Sequence, residues 1–162
     1  MFRPAALIVA FSLALPAAAQ DAEVAPDAPV PEGAEALAEV APELVITEAG
    51  EQDLDNFHWT ARPLVVFADS PDDPRFIQQM ELLAERPEDL IERDVVVITD
   101  TDPAANSPIR QELRPRGFAL VLIGKDGFKY LRKPRPWDVR EISRSIDKMP
   151  LRQDEMRSGR GQ

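Results

Sequence analysis

Phe118-Ala119-Leu120-Val121-Leu122-Ile123-Gly124-Lys125-Asp126-Gly127-Phe128-Lys129-Tyr130-Leu131-Arg132 is the stretch whose reading decides the fold. Its opening run, Phe118 to Ile123, is wholly apolar, as expected of a strand buried on both faces. Asp126-Gly127 is a hairpin turn signal, because glycine accepts the left-handed backbone such turns require. Phe128 to Arg132 then reads as the returning strand, ended by Pro134 and Pro136.

Working outward, Pro63-Leu64-Val65-Val66-Phe67-Ala68 and Val95-Val96-Val97-Ile98 read as two more buried strands. Between them Phe76, Ile77, Met80, Leu82 and Leu83 recur at mostly helical spacing, predicting a helix from Pro74 to Glu85 and a further short turn over Glu88 to Arg93. Ser107-Pro108 is an N-cap followed by proline at the first helical position, so a short helix should run on to Arg114. Val139, Ile142, Ile146 and Met149 mark a closing helix, and Leu54, Phe57 and Trp59 a short turn covering one end of the core. A parallel first pair of strands needs a helical crossover, which is right-handed in nearly all proteins. The order βαβαββα therefore predicts an α/β domain, a four-stranded mixed sheet flanked by helices. That is the thioredoxin-like architecture.

The ends of the chain read differently. Arg3, the apolar stretch Ala5 to Leu15, and Ala17-Ala18-Ala19 before Gln20 form a signal-peptide pattern over residues 1–19. The apolar part is shorter than the roughly 20 residues needed to cross a bilayer. The mature chain is thus expected to be exported, into a bacterial periplasm, and free of the membrane after cleavage. Residues 20–43 are Ala, Pro and Glu with little that is large and apolar, a composition expected of a disordered acidic linker. The domain is expected over 44–153, with 154–162 a polar tail that frays.

Charge is unevenly placed. The chain carries a net charge of −10 over 162 residues. Gln20 to Asn56 holds 11 acidic residues and no basic one, whereas Ser107 to Gln162 holds 14 basic against 7 acidic. The overall acidity speaks against a nucleic-acid partner. It leaves room for an anion-binding surface on the second half.

Several segments together carry a resemblance: Phe57-His58-Trp59, Arg62 to Ala68, Glu92 to Ile98, Gly117-Phe118, Leu120 to Gly127, and Ile146 to Arg152. In these the chain resembles a thioredoxin-like domain family of unknown function, found in exported bacterial proteins and, in related form, in vertebrate sushi-repeat extracellular proteins. The resemblance spans Leu54 to Met156 and implies fold and export. It brings no catalytic residue.

Thiol chemistry is absent in any case. The sequence has no cysteine and a single histidine, His58. Disulfide exchange needs an attacking thiolate, so it is excluded. Working thioredoxins place their redox pair just after the first buried strand; the matching stretch here is Asp69 to Arg75, with Asp72 and Arg75 near the two thiol positions. Where those enzymes have a proline before the hairpin's first strand, this chain has Ala119. No cofactor and no metal are expected.

The candidate ligand or partner surface is Asp69, Ser70, Asp72 and Arg75 with Arg116, Lys125, Lys129 and Arg132. The acidic loop lies where this fold binds ligands, at the carboxyl end of a central strand. Three carboxylates, Asp69, Asp72 and Asp73, could collect a hard cation, but the spacing matches no calcium loop, and capping and turn chemistry is the preferred reading. Lys125, Lys129, Arg132, Lys133 and Arg135 cluster along the hairpin, and strand alternation sets Lys129 and Lys133 on one face with Arg132 on the other. They read as a patch for an anionic ligand or partner, as charge that keeps an edge strand from aggregating, or as a weak, salt-sensitive contact for the chain's own acidic linker; edge protection is the preferred reading. Trp59 reads as a core cover, Arg62 as the partner of a carboxylate or helix end, and His58 as an exposed histidine. The functional expectation is a non-catalytic interaction module for a periplasmic protein or an anionic ligand. The competing class is a non-thiol enzyme, or a subunit assisting a peroxiredoxin-like defence against oxidants.

Overall fold

The computed structural model describes residues 42–159. The expected signal peptide, the linker up to residue 41 and the last three residues of the tail lie outside the described residues.

The strands are β1 (Ile46–Glu48), β2 (Arg62–Phe67), β3 (Val95–Asp100), β4 (Ala119–Ile123) and β5 (Lys129–Lys133). The helices are α1 (Pro74–Ala84), α2 (Pro87–Ile91), α3 (Pro108–Leu113), α4 (Val139–Asp147) and α5 (Pro150–Gly159), with a 3-10 turn over Leu54–Phe57. They build one mixed sheet in the order β1-β3-β2-β4-β5. β1 and β2 run parallel to β3, β4 runs antiparallel to β2, and β5 is its hairpin partner.

Two features correct the expectation from sequence. The sheet has five strands, not four, because β1 adds to the free edge of β3. With three residues and Ile46 half exposed, β1 is too short to show a period. The stretch expected to fray from Asp154 is instead helical through Gly159, starting at Pro150 in the position where proline suits a helix. Ion pairing, described below, gives that helix a partner that its polar composition conceals.

Every residue of β2 and β4 is buried, which accounts for their unbroken apolar runs. Alternation along the strands divides the core into two layers. Leu64, Val66, Leu120 and Leu122 meet Leu83 of α1, Leu90 of α2, and Ile142 and Ile146 of α4. Val65, Phe67, Val121 and Ile123 meet Ile109 and Leu113 of α3 and Leu54 of the 3-10 turn. The helix starts follow their sequence signals. The Asp73 side chain accepts the Arg75 backbone N–H at the head of α1, and Ser107 and Asp138 do the same for α3 and α4.

Candidate functional site

Loops at the carboxyl end of β2 and the start of β4 gather at one end of the sheet. Beneath them lies a buried network that sequence reasoning missed. The Arg110 guanidinium donates to Asp100 Oδ1 at 2.7 Å and to the Ala68 carbonyl at 2.9 Å, and the Ser107 hydroxyl donates to Asp100 Oδ2 at 2.7 Å. Arg110 also stacks over the Phe67 ring, 5.4 Å from its centroid. This ties α3 to the ends of β2 and β3 and fixes the point where the Asp69 loop departs. A buried, well-bonded ion pair of this kind specifies geometry more than it adds stability.

The loop itself is mostly engaged with itself. The Ser70 hydroxyl accepts the Asp72 backbone N–H at 3.1 Å. The Arg75 side chain donates to both Asp73 oxygens, at 3.1 and 2.8 Å. Those hydrogen bonds from Arg75 hold the Asp73 carboxyl below the usual carboxylate range. Arg75 also lies over the Phe118 ring at 5.6 Å, and the Asp69 carboxylate lies beside Gly117. Turn and capping chemistry thus uses most of the loop's polar groups.

On the other side of Phe118 the surface opens into a groove of about 530 Å³. Leu113, Phe118, Ala119 and Pro134 make its apolar lining, and Arg114, Arg116, Arg132 and Lys133 its charged lining. No acidic side chain lines it. Local structure explains each position. Arg114 ends α3 in the left-handed conformation, φ 45°, which turns the chain out towards Arg116. Gly117, at φ 64°, turns it back into β4. Arg132 donates to the Leu113 carbonyl at 2.7 Å and the Arg114 carbonyl at 3.0 Å, capping the exposed end of α3. Lys133 sits 4.4 Å from the centroid of the Trp137 ring.

Most cations outside the groove are paired, Arg135, Arg140 and Lys148 being the exceptions among the described residues. Arg62, Arg75, Arg86, Arg93, Arg110, Lys125, Lys129, Arg144, Arg152 and Arg157 each have a carboxylate within 4 Å. Arg114, Arg116, Arg132 and Lys133 form no such pair among the described residues. In a chain of net charge −10, they form a cluster of positive charge that no carboxylate of the described residues neutralises.

The structure brings together only part of the surface expected from sequence. Arg116 and Arg132 share the groove; Asp69, Ser70, Asp72 and Arg75 line a separate, shallow dish. Lys125 lies at the opposite end of the sheet, where its ammonium meets Asp94 at 2.7 Å and Glu155 at 3.2 Å. Lys129 pairs with Glu112 of α3 at 2.8 Å. The expected alternation also fails, because a register shift at Leu122/Ile123 lets Lys129 reach the same helix that Arg132 caps. Arg114 was missed because its role depends on the left-handed helix end.

At the far end, Arg62 does pair with a carboxylate, Glu155, as its neighbourhood in the sequence suggested. Trp59 is not a core cover: it is 72% exposed. Its backbone N–H, at φ 63°, donates to the Lys125 carbonyl and pins the turn before β2 to the hairpin. His58 is exposed, as expected, and lies over Gly127 of the hairpin turn. Among the described residues no cluster of His, Asp or Glu is arranged to hold a metal ion, and no helix is long and apolar enough to cross a membrane.

Fold and groove together define a cysteine-free, thioredoxin-like α/β domain with a cationic groove at one end of its sheet. By sequence the chain belongs to the family described as Domain of unknown function (DUF4174), which matches residues 53–155. Among solved structures it is similar to chloroplastic thioredoxin z, with a TM-score of 0.51 and 21% identity over 65% of this chain and 93% of that one. It is also similar to the reduced 2-Cys peroxiredoxin of Plasmodium vivax, with a TM-score of 0.49 and 17% identity over 62% of this chain and 84% of that one. No curated protein matches the chain. At 21% identity, the likeness to thioredoxin z speaks to the fold alone.

Proposed function

We propose that this protein is a non-catalytic binding module, exported from the cytoplasm, whose groove between α3 and β5 holds an anionic group presented by a ligand or partner protein. One observation carries the reading: Arg114, Arg116, Arg132 and Lys133 line a single groove without a carboxylate, while most other cations of the domain are paired. Arginine suits the task, since its planar fork grips carboxylate or phosphate with two donors. Apolar lining from Phe118 and Pro134 lowers the local dielectric and strengthens that grip. Export is supported by the leader pattern of residues 1–19 and by the resemblance to exported bacterial and extracellular sushi-repeat proteins.

The test uses the mature chain and fluorescein-labelled polyglutamate. Anisotropy should report saturable binding that weakens steadily with salt, and Arg116→Glu should raise Kd at least about tenfold. Insulin reduction and peroxide consumption should both be absent. An affinity indifferent to Arg116→Glu, or unaided turnover of either redox substrate, overturns the reading.

A further inference from the structure

The sheet ends at β5 without a cover. β5 pairs only with β4, and among the described residues no other backbone hydrogen bond reaches it. Its residues are exposed or half-buried throughout. A row of unpaired N–H and C=O groups is a template for one further strand. Here that edge borders the groove, because Arg132 and Lys133 belong to both.

Charge decides what the edge can accept. Arg132, Lys133 and Arg135 carry no carboxylate partner among the described residues, and Lys129 has only Glu112. A second copy docking β5 against β5 would face these cations with their own equivalents. An extended chain bearing carboxylates meets opposite charge instead, with its backbone paired to β5. Alternate side chains of such a strand fall on one face, so acidic residues two apart point together towards α3 and the groove.

We infer that β5 is a strand-addition site for an acidic, extended segment of a partner protein, whose alternate carboxylates enter the groove of Arg114, Arg116, Arg132 and Lys133. This rests on the anion-binding reading of the groove and adds the class of partner to it. Main-chain pairing supplies affinity and the groove selects acidic sequences. Edge protection and recognition are then one device: the cations that repel a second copy attract the acidic strand.

The experiment uses the mature chain and a labelled peptide of alternating Glu and Val, long enough to cover the five residues of β5. Two further peptides carry N-methyl groups on alternate backbone nitrogens, one along each edge of the strand. Methylation of the edge facing β5 should raise Kd about tenfold or more, since several backbone donors are lost, while the other edge should tolerate it within about threefold. Equal affinities for all three peptides, or equal loss for both methylated ones, rule out strand addition and leave the anion-binding groove standing. Failure of even the unmodified peptide to bind removes both. Sedimentation should show a monomer; a dimer that the peptide dissociates would give the edge to a second copy and overturn the inference.

Discussion

Arg62, the first residue of β2, and Glu155, near the end of the described chain, face each other through two hydrogen bonds of 2.9 and 2.8 Å. The arginine side chain is 1% exposed and also donates to the Arg93 carbonyl at 2.8 Å. Lys125 brings a second cation to Glu155 at 3.2 Å, and Arg152 a third at 3.5 Å. Helix α5, which has no fully buried residue, is therefore held to the domain by these charges.

Removing Glu155 leaves a buried guanidinium without its main counter-charge. Glu155→Ala should lower unfolding free energy by about 1–3 kcal/mol, since the charged hydrogen bonds are lost while Asp94, 3.7 Å from the guanidinium, remains. Denaturant unfolding checks this. A loss below about 1 kcal/mol would class the contact with ordinary surface pairs.

The same pair sets an acid limit. Burial pushes the Glu155 carboxyl up, but hydrogen bonds from Arg62 and Lys125 outweigh it and hold the carboxyl below its ordinary value. The folded state thus binds the proton less readily than the unfolded chain, and the contribution is fully present above the unfolded carboxyl value of about 4.3. It is lost as pH falls through the lower, folded value. Stability measured against pH should decline on that acid limb less steeply in Glu155→Gln than in the parent.

Tyr130 is the single tyrosine of the chain, so its titration can be read directly by absorbance. Its hydroxyl donates to Asp126 Oδ2 at 2.7 Å, and this bond raises its pKa above the ordinary value. The midpoint should lie above about 10 and fall back towards it in Asp126→Asn. Stability tied to this bond persists below the unfolded value and fades as pH rises through the folded one.

Trp59 holds a left-handed backbone with an exposed side chain. A bulky residue there is strained by about 1–2 kcal/mol, which glycine avoids. Trp59→Gly should therefore leave the protein as stable as the parent or up to about 1 kcal/mol more stable, measured by thermal unfolding. A clear loss would mean the indole packs more than its exposure indicates.

The fold was legible where burial imposed a period. β2 and β4 are buried on both faces and announce themselves as apolar runs; Ser107-Pro108 and Asp73-Pro74 mark helix starts through capping chemistry that depends only on neighbours. β1 and α5 were missed because their stability comes from partners far along the chain: β3 for the one, Arg62 for the other. The candidate site was half legible for the same reason. Composition revealed that the second half is basic, and Arg116 and Arg132 were singled out. Which cations stay unpaired depends on where Glu112, Asp94 and Glu155 fall in space, and that set Lys125 and Lys129 apart from Arg114 and Lys133.

The most direct measurement of the groove is a nitrogen-edited NMR titration of the mature chain with unlabelled polyglutamate. The cationic-groove account predicts that the largest amide shifts map to Arg114, Arg116, Ala119, Arg132 and Lys133, and that they vanish in Arg116→Glu. Shifts centred on the far end of the sheet, around Lys125 and Trp59, or none at all, would contradict it.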